Sequence, residues 1–267
     1  MDKNPPILIK EKSDKGVLRL TMNDLACKNA LSNKMLSALL DEIKNASVDK
    51  CIRVIVLRAN GKVFSAGHDL KEIKEARNNS DEGKIFFQEL FSLCSSLMQL
   101  IINVPQPVIA EVDGIATAAG CQLVASCDLA ISSQESKFAT PGVNIGLFCS
   151  TPMVALSRSI GKKNVMQMLL TGDLISAKKA KEIGLINDVI GKNELETTIK
   201  ELTTKIASKS FMTIKTGKKA FYAQAEMDLS KAYEYTSKVM AENLLKNDAK
   251  EGIDAFINKR SPDWKDE

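Results

Sequence analysis

The chain has 267 residues, 44% of them apolar and 26% charged, with a formal charge of +4 at neutral pH. That size carries one large core with a helical appendage and excludes a small disulfide-stapled scaffold. Both signs of charge are spread along the chain, which excludes a nucleic-acid face, and the lysines at 178, 179 and 181 are too few for a basic comb. The mild basic excess suits a polyanionic small ligand and an ordinary solvated surface equally. The six cysteines (27, 51, 94, 121, 127 and 149) include no CxxC pair, and there is one histidine, so metal-ligand spacing is absent. Reduced, mostly buried thiols are expected. The opening MDKNPPILIK lacks signal or transit character and no apolar run is expected to reach membrane-spanning length, so no membrane partner and a cytoplasmic location are expected.

Residues 7–10 and Val17–Met22 flank Ser13-Asp14-Lys15-Gly16, a hairpin pattern. Met35, Leu36, Leu39, Leu40 and Ile43 then recur at helical spacing, with Ser32 as the N-cap. Residues 51–57 (CIRVIVL) predict a strand, followed by a turn at Ala59-Asn60-Gly61-Lys62. The stretch GKVFSAGHDLK brings a buried strand, a small-residue turn at Ser65 to His68 and a helix over residues 70–77 to one junction. First-turn amides at such a junction lack intrahelical partners and suit developing negative charge. Residues 85–102 predict a long, well-buried helix, ended by Asn103-Val104-Pro105-Gln106-Pro107.

A second junction repeats the first. Residues 107–112 read as a strand and Asp113-Gly114 as a turn, and Thr117-Ala118-Ala119-Gly120 opens a helix running through residues 121–127. Two amides from two helix starts, aimed at one point, would make an oxyanion hole. A strand at 128–132 and the small-residue stretch 137–147 follow. From Pro152 the pattern is helical, with a cap at Ser176-Ala177 and one short strand in 184–190. Helices are expected at 193–208, Phe211–Ala225, 229–245 and 248–259.

FSAGHDLKE (residues 64–72), PVIAEVDGIATAAGCQLVASCDLAI (107–131) and TGDLISAKKAKEIGLINDVI (171–190) resemble the signature segments of the crotonase (enoyl-CoA hydratase/isomerase) superfamily. The resemblance covers residues 7–265. The run FATPGVNIGLFCSTP (138–152), with FSAGHDL, further resembles a subgroup of enoyl-CoA hydratase domain-containing proteins, type 3. The resemblance implies an α/β fold, a crotonase-like spiral of repeated ββα units with a C-terminal α-helical trimerisation region. Residues 1–200 would form the spiral core with the CoA-thioester pocket, and residues 201–267 the helical oligomerisation region of a homotrimer or hexamer (a dimer of trimers). It also implies a lyase of fatty acid metabolism acting on an acyl-CoA thioester, with no cofactor beyond the coenzyme A of the substrate.

Carried over by position, the oxyanion hole would be the backbone N–H groups of His68 and Ala119. Ala119 stands where most relatives have glycine, and its methyl would narrow the acyl pocket. Lys28, Ala66, Asp69, Leu70, Lys71, Gly120 and Lys259 fall at substrate-binding positions, although each lysine taken singly also suits a solvated surface. The departure from the family lies in its two catalytic glutamates, whose places hold Gln122 and Gly142. Glutamine exchanges no proton near neutral pH and glycine has no side chain. Losing one general acid or base costs about 10²–10⁴ in rate, so efficient hydration is not expected.

Three readings follow. The chain is an acyl-CoA-processing enzyme using the oxyanion hole to stabilise an enolate-like anion, or a decarboxylase of a short malonyl-type CoA thioester using His68, or a non-catalytic acyl-CoA-binding protein. His68 also appears in decarboxylating relatives, but these carry tyrosine where this chain has Cys149, and His68 could equally serve only through local bonds and its backbone N–H. Cys149 is either a nucleophile or a packing thiol. Glu111, Asp113 and Asp128 read as structural.

Overall fold

The computed structural model describes residues 5–267, so the first four residues of the N-terminal segment lie outside it. Strands β1 (Leu8–Lys12) and β2 (Val17–Met22) pair antiparallel, and the turn between them uses Gly16 at φ +75°, where a Cβ would stand 2.7 Å from the Cys51 carbonyl oxygen. Helix α1 (Asn33–Val48) opens where the Ser32 hydroxyl accepts from the Met35 N–H at 3.2 Å, and its Met35, Leu36, Leu39, Leu40 and Ile43 stripe is buried. Next come β3 (Val54–Ala59), β4 (Val63–Ser65), α2 (Leu70–Ala76) and α3 (Lys84–Asn103). The second unit is β5 (Val108–Val112), β6 (Ile115–Thr117) and α4 (Ala119–Ser126). The third is β7 (Leu129–Ser133), β8 (Lys137–Ala139) and a 3-10 turn at Pro141–Ile145, followed by α5 (Pro152–Ser159) and α6 (Lys162–Thr171). Strand β9 (Ile175–Ser176), α7 (Ala177–Glu182) and β10 (Asp188–Ile190) precede helices α8 (Lys192–Ala207), α9 (Phe211–Ala225), α10 (Leu229–Leu244) and α11 (Asn247–Ile257).

The strands form two sheets, ordered β1-β2-β3-β5-β7-β10 and β4-β6-β8-β9. Each of the three units gives one strand to the first sheet, one to the second and then a helical turn, which is a spiral of ββα units. Period-two alternation explains why both faces of the first sheet are covered. Ile55, Leu57, Val108, Ala110 and Val112 face the main core under α1 and α3, while Val54, Val56, Ile109 and Ile131 face Leu195 and Ile199 of α8.

Helix α3 departs from expectation. One stripe, Leu90, Cys94, Leu97, Met98 and Ile101, is buried, whereas Ile85 and Phe91 are exposed. With 20 residues and a mean hydropathy of 1.6 it is long and apolar enough to cross a membrane, which corrects the expectation that no segment would be. In this fold it packs against α1.

A buried ion pair staples α9 to the spiral. Lys218 Nζ donates to the carbonyls of Ile101 and Gln106, each at 2.9 Å, and to Asp128 at 2.6 Å. Asp128 also accepts from the Tyr222 hydroxyl at 2.9 Å and the Val108 N–H at 2.7 Å. Removing one member strands the others in a low-dielectric site. Asp128→Ala should therefore cost about 3–5 kcal/mol, seen as a lower urea midpoint, and the double replacement Asp128→Leu, Lys218→Met should recover much of it.

Candidate active site

The two small-residue turns meet because each places a glycine against a small residue of the other. A Cβ at Gly67 would stand 2.9 Å from the Ala118 Cβ and 3.3 Å from the Ala119 nitrogen, and one at Gly120 would strike the Ser65 backbone and stand 2.7 Å from its Cβ. Gly67, at φ +88°, adopts a conformation that L residues resist. The parallel pairing of β4 with β6 delivers both turns to the same end of the second sheet. Neither the His68 N–H nor the Ala119 N–H finds an acceptor among the described residues.

The two amides differ in origin. Ala119 is the first residue of α4, whose N-cap Ala118 provides no side-chain acceptor, so this N–H sits at a free helix terminus. His68 precedes the cap of α2, where the Asp69 carboxylate accepts from the Lys71 N–H at 2.8 Å. The first amide is thus a turn amide, and the expectation that both come from helix starts is corrected. Ala118 is a non-glycine residue at φ 49°, ψ −118°. Its N–H donates to Ala139 and its carbonyl accepts from Gln122, each at 3.0 Å, so neighbours over-determine the strained turn.

A strap from Lys28 to Leu31 holds the first turn in place. The Ala66 N–H donates to the Lys28 carbonyl at 3.2 Å, and the Leu31 N–H donates to the Gly67 carbonyl at 2.7 Å. Buried Asn29 pins the strap by donating to the carbonyls of Asn60 and Val63 at 2.9 and 2.7 Å and accepting from the Asp24 N–H at 2.8 Å. Lys28, Lys71 and Leu70 are exposed and Ala66 and Asp69 half-buried, with Lys28 joined to Ala66 and Lys71 to Asp69 by the bonds above. Gly120 lies in the contact itself. Lys259 stands apart at the end of α11, and the nearby tail is tied through Trp264 to Ser208 and through Asp266 to Arg53. Within one chain it has no hydrogen bond or ion pair to the two turns.

His68 is half-buried, with Nδ1 at 3.2 Å from the Leu31 carbonyl and its ring edge-on to Phe91, centroids 5.3 Å apart. A carbonyl only accepts, so Nδ1 carries the proton and Nε2 a lone pair. Nε2 is buried without a partner. Burial pushes the imidazole below its ordinary value, and the Leu31 carbonyl works the other way. Leu31 and Phe91 were not singled out from the sequence. Leu31 acts through its carbonyl, which side-chain identity hides, and Phe91 was one apolar residue among many on α3.

Gln122 is buried one turn into α4, with its side-chain oxygen 4.0 Å from the Cys94 sulfur. At Gly142 a Cβ would stand 2.6 Å from the Leu147 carbonyl oxygen and 2.9 Å from the Cys149 sulfur. Cys149 packs on the place where a side chain at 142 would grow, and burial pushes its thiol up, with the Gly142 amide opposing. Cys121, wholly enclosed, is pushed up to about 12 by burial. These are packing thiols. Glu111 is buried 3.6 Å from Arg58, and Asp113 pairs with Lys192 at 2.9 Å, so neither reaches the turns. A cavity of about 1130 Å³ between α3, α4, α5 and α9, lined by Arg158, Lys215, Lys219 and Phe221, is separate from both turns.

If the contact between the turns carries the site, Gly120→Ala should destabilise the fold by about 1–3 kcal/mol, whereas Ala118→Gly should relieve strain and add about 1 kcal/mol, both measured by thermal unfolding.

The sequence profile of the enoyl-CoA hydratase/isomerase family matches residues 12–267. The enoyl-CoA hydratase domain-containing protein 3 of Rattus norvegicus is 46% identical over 259 residues, covering 97% of this chain and 85% of its own. A crystal structure of the human protein of that name superposes with a TM-score of 0.92 at 44% identity, covering 97% of this chain and 100% of its own. An enoyl-CoA hydratase from Mycobacterium smegmatis gives 0.93 at 43%, covering 97% and 99%. The rat relative is named mitochondrial, as are those of Mus musculus, Xenopus laevis and Homo sapiens, which overturns the cytoplasmic expectation.

Proposed function

The chain belongs to the enoyl-CoA hydratase/isomerase (crotonase) family, and from that premise we propose that it processes an acyl-CoA thioester by holding the carbonyl oxygen between the amides of His68 and Ala119. The observation that carries this reading is the pair of unpartnered N–H groups on two turns in direct contact. An enolate next to a thioester is costly in water, and each preorganised donor of this type is worth about 2.7–4 kcal/mol. Ala66, Asp69, Leu70 and Gly120 would line the ligand, with Lys28 and Lys71 facing the phosphates of coenzyme A. The substrate brings that group itself, so no separate cofactor enters the reading. A place in fatty acid metabolism as a lyase belongs to the same proposal.

Hydration is not the activity this site supports. A glutamate at 142 would need the space taken by Cys149 and the Leu147 carbonyl, and Gln122 cannot exchange a proton. Decarboxylation of a malonyl-type thioester gains little from His68 either. An Nε2 lone pair would repel a substrate carboxylate rather than hold it.

Titration calorimetry with butyryl-CoA should show binding, with crotonyl-CoA hydration at least 10²-fold below that of a glutamate-bearing relative assayed alongside. Gln122→Glu alone should leave hydration low, because the second carboxylate is still missing. No heat of binding would sink the reading, and tight binding without turnover on a broad panel of thioesters would favour a non-catalytic acyl-CoA carrier.

We also propose a homotrimer, alone or paired into a hexamer, built through the C-terminal helices, with Lys259 reaching a neighbouring chain's ligand. The support is the apolar surface of α9 to α11, including Phe221, Tyr233, Met240, Leu245, Ile257 and Phe256, the last 85% exposed. Light scattering should give three or six chain masses, and Phe256→Glu with Ile257→Glu should shift the protein towards one.

A further inference from the structure

We propose that Asn29 is a positioning residue for the first of the two amides: by pinning the strap that carries Leu31, it sets the direction in which the His68 N–H points. The inference rests on the reading of the two turns as a thioester site and goes beyond it by naming a residue, outside both turns, that holds one donor in place.

The His68 N–H does not stand alone in its peptide unit. It shares a plane with the Gly67 carbonyl, and in a trans peptide the two groups point in opposite directions. No cis peptide occurs among the described residues. Whatever holds the Gly67 carbonyl therefore aims the His68 N–H. That carbonyl accepts from the Leu31 N–H at 2.7 Å. Leu31 grips the next residue as well, since its own carbonyl accepts from Nδ1 of His68 at 3.2 Å. Two bonds from one strap residue thus fix the peptide plane and the ring that follows it, while the Lys28 carbonyl takes the Ala66 N–H at 3.2 Å. A hydrogen bond accepted at the carbonyl end also polarises the peptide and makes its N–H a better donor. The second amide needs no such help. The Ala119 N–H shares its peptide with the Ala118 carbonyl, which accepts from the Gln122 N–H at the start of α4. One donor is aimed by its own helix and the other by a segment far away in the chain.

The strap is shaped against local preference. Lys28 and Asn29 are consecutive non-glycine residues at φ 55° and 51°. L residues resist that conformation, asparagine less than most. Two in succession persist only where the surroundings over-determine them. Asn29 supplies the ties. Its side chain is 1% exposed and fully engaged. Nδ2 donates to the Asn60 and Val63 carbonyls at 2.9 and 2.7 Å, and Oδ1 accepts from the Asp24 N–H at 2.8 Å. Its backbone N–H donates to the Asp24 carbonyl at 2.7 Å. Val63 opens β4, the strand that runs into Ser65 and the first turn, so one side chain joins the strap to the strand that delivers the turn. At the other end of the strap Leu31 is buried in the main core and Ser32 caps α1. The Leu31 N–H is held between these two anchors. Without the Asn29 amide, the Asn60 and Val63 carbonyls lose a donor and the left-handed pair loses its tether.

The chain has one histidine, so untagged protein grown on nitrogen-labelled histidine shows a single backbone amide signal in proton–nitrogen correlation NMR, that of His68. In wild type this signal should move downfield with butyryl-CoA and by less with coenzyme A, which has no thioester carbonyl. Asn29→Gly keeps a residue that adopts positive φ freely but removes the tether. It should still bind butyryl-CoA by calorimetry while losing most of the downfield shift. Asn29→Asp, which keeps the acceptor for the Asp24 N–H but not the two donors, repeats the measurement if the glycine variant folds poorly. Replacing Leu31 by leucic acid puts an ester oxygen in place of its N–H, leaves every side chain unchanged and should lose the shift in the same way. A residue that only stabilised the fold would lower the unfolding temperature of the Asn29 variants yet leave the shift of the folded protein intact. A wild-type response in the Asn29 variants, or in the Leu31 ester, overturns the positioning role and leaves the thioester site standing. Binding of butyryl-CoA to wild type with no movement of the His68 signal beyond that given by coenzyme A overturns both, as does absence of binding.

Discussion

The contact between the two turns is the constraint from which the site follows. Gly67 lies on Ala118 and Ala119 while Gly120 lies on Ser65, and at neither position is there room for a methyl group. Close packing tolerates such an approach only where one partner in each contact is a glycine and the other a small residue. Two amides on separate ββα units are thereby brought to one place, and the strain at Ala118 is the local cost of turning the chain into α4. The rest of the spiral supplies rigidity. Strand β5 is buried along its whole length, and Asn29 ties the strap to the turn after β3 and to β4.

The surroundings of these amides hold no carboxylate at positions 122 and 142, where the chain has glutamine and glycine. Cys149 and the Leu147 carbonyl occupy the volume that a side chain at 142 would need, so the departure involves a packed neighbourhood rather than one residue. Gln122 is buried beside Cys94, without a charge to balance. The imidazole of His68 is held nearby, with Nδ1 donating to the Leu31 carbonyl and Nε2 enclosed without a partner.

Much of this was legible along the chain. The stripe from Met35 to Ile43, the caps at Ser32 and Ser176 and the span Phe211–Ala225 follow from local spacing and side-chain capping, and they stand in the structure. The strand expected over 51–57 starts later, at Val54, because the N–H groups of Arg53 and Val54 turn instead to the Gly16 carbonyl. Helix α3 looked apolar on most faces, and its partial exposure could not be read from hydropathy, which records composition and not neighbours.

By itself, the sequence determined the ββα order, the small residues that let two turns touch, and the absence of glutamates at 122 and 142, since spacing and residue identity are local properties. Tertiary structure decided which groups were left free. The Leu31 carbonyl, 37 residues away, accepts from the Nδ1–H of His68, Cys149 blocks the space beside Gly142, and Asp69 caps α2 so that the first amide belongs to a turn. Those outcomes depend on backbone carbonyls and excluded volume contributed by distant segments, which no pattern along the chain encodes.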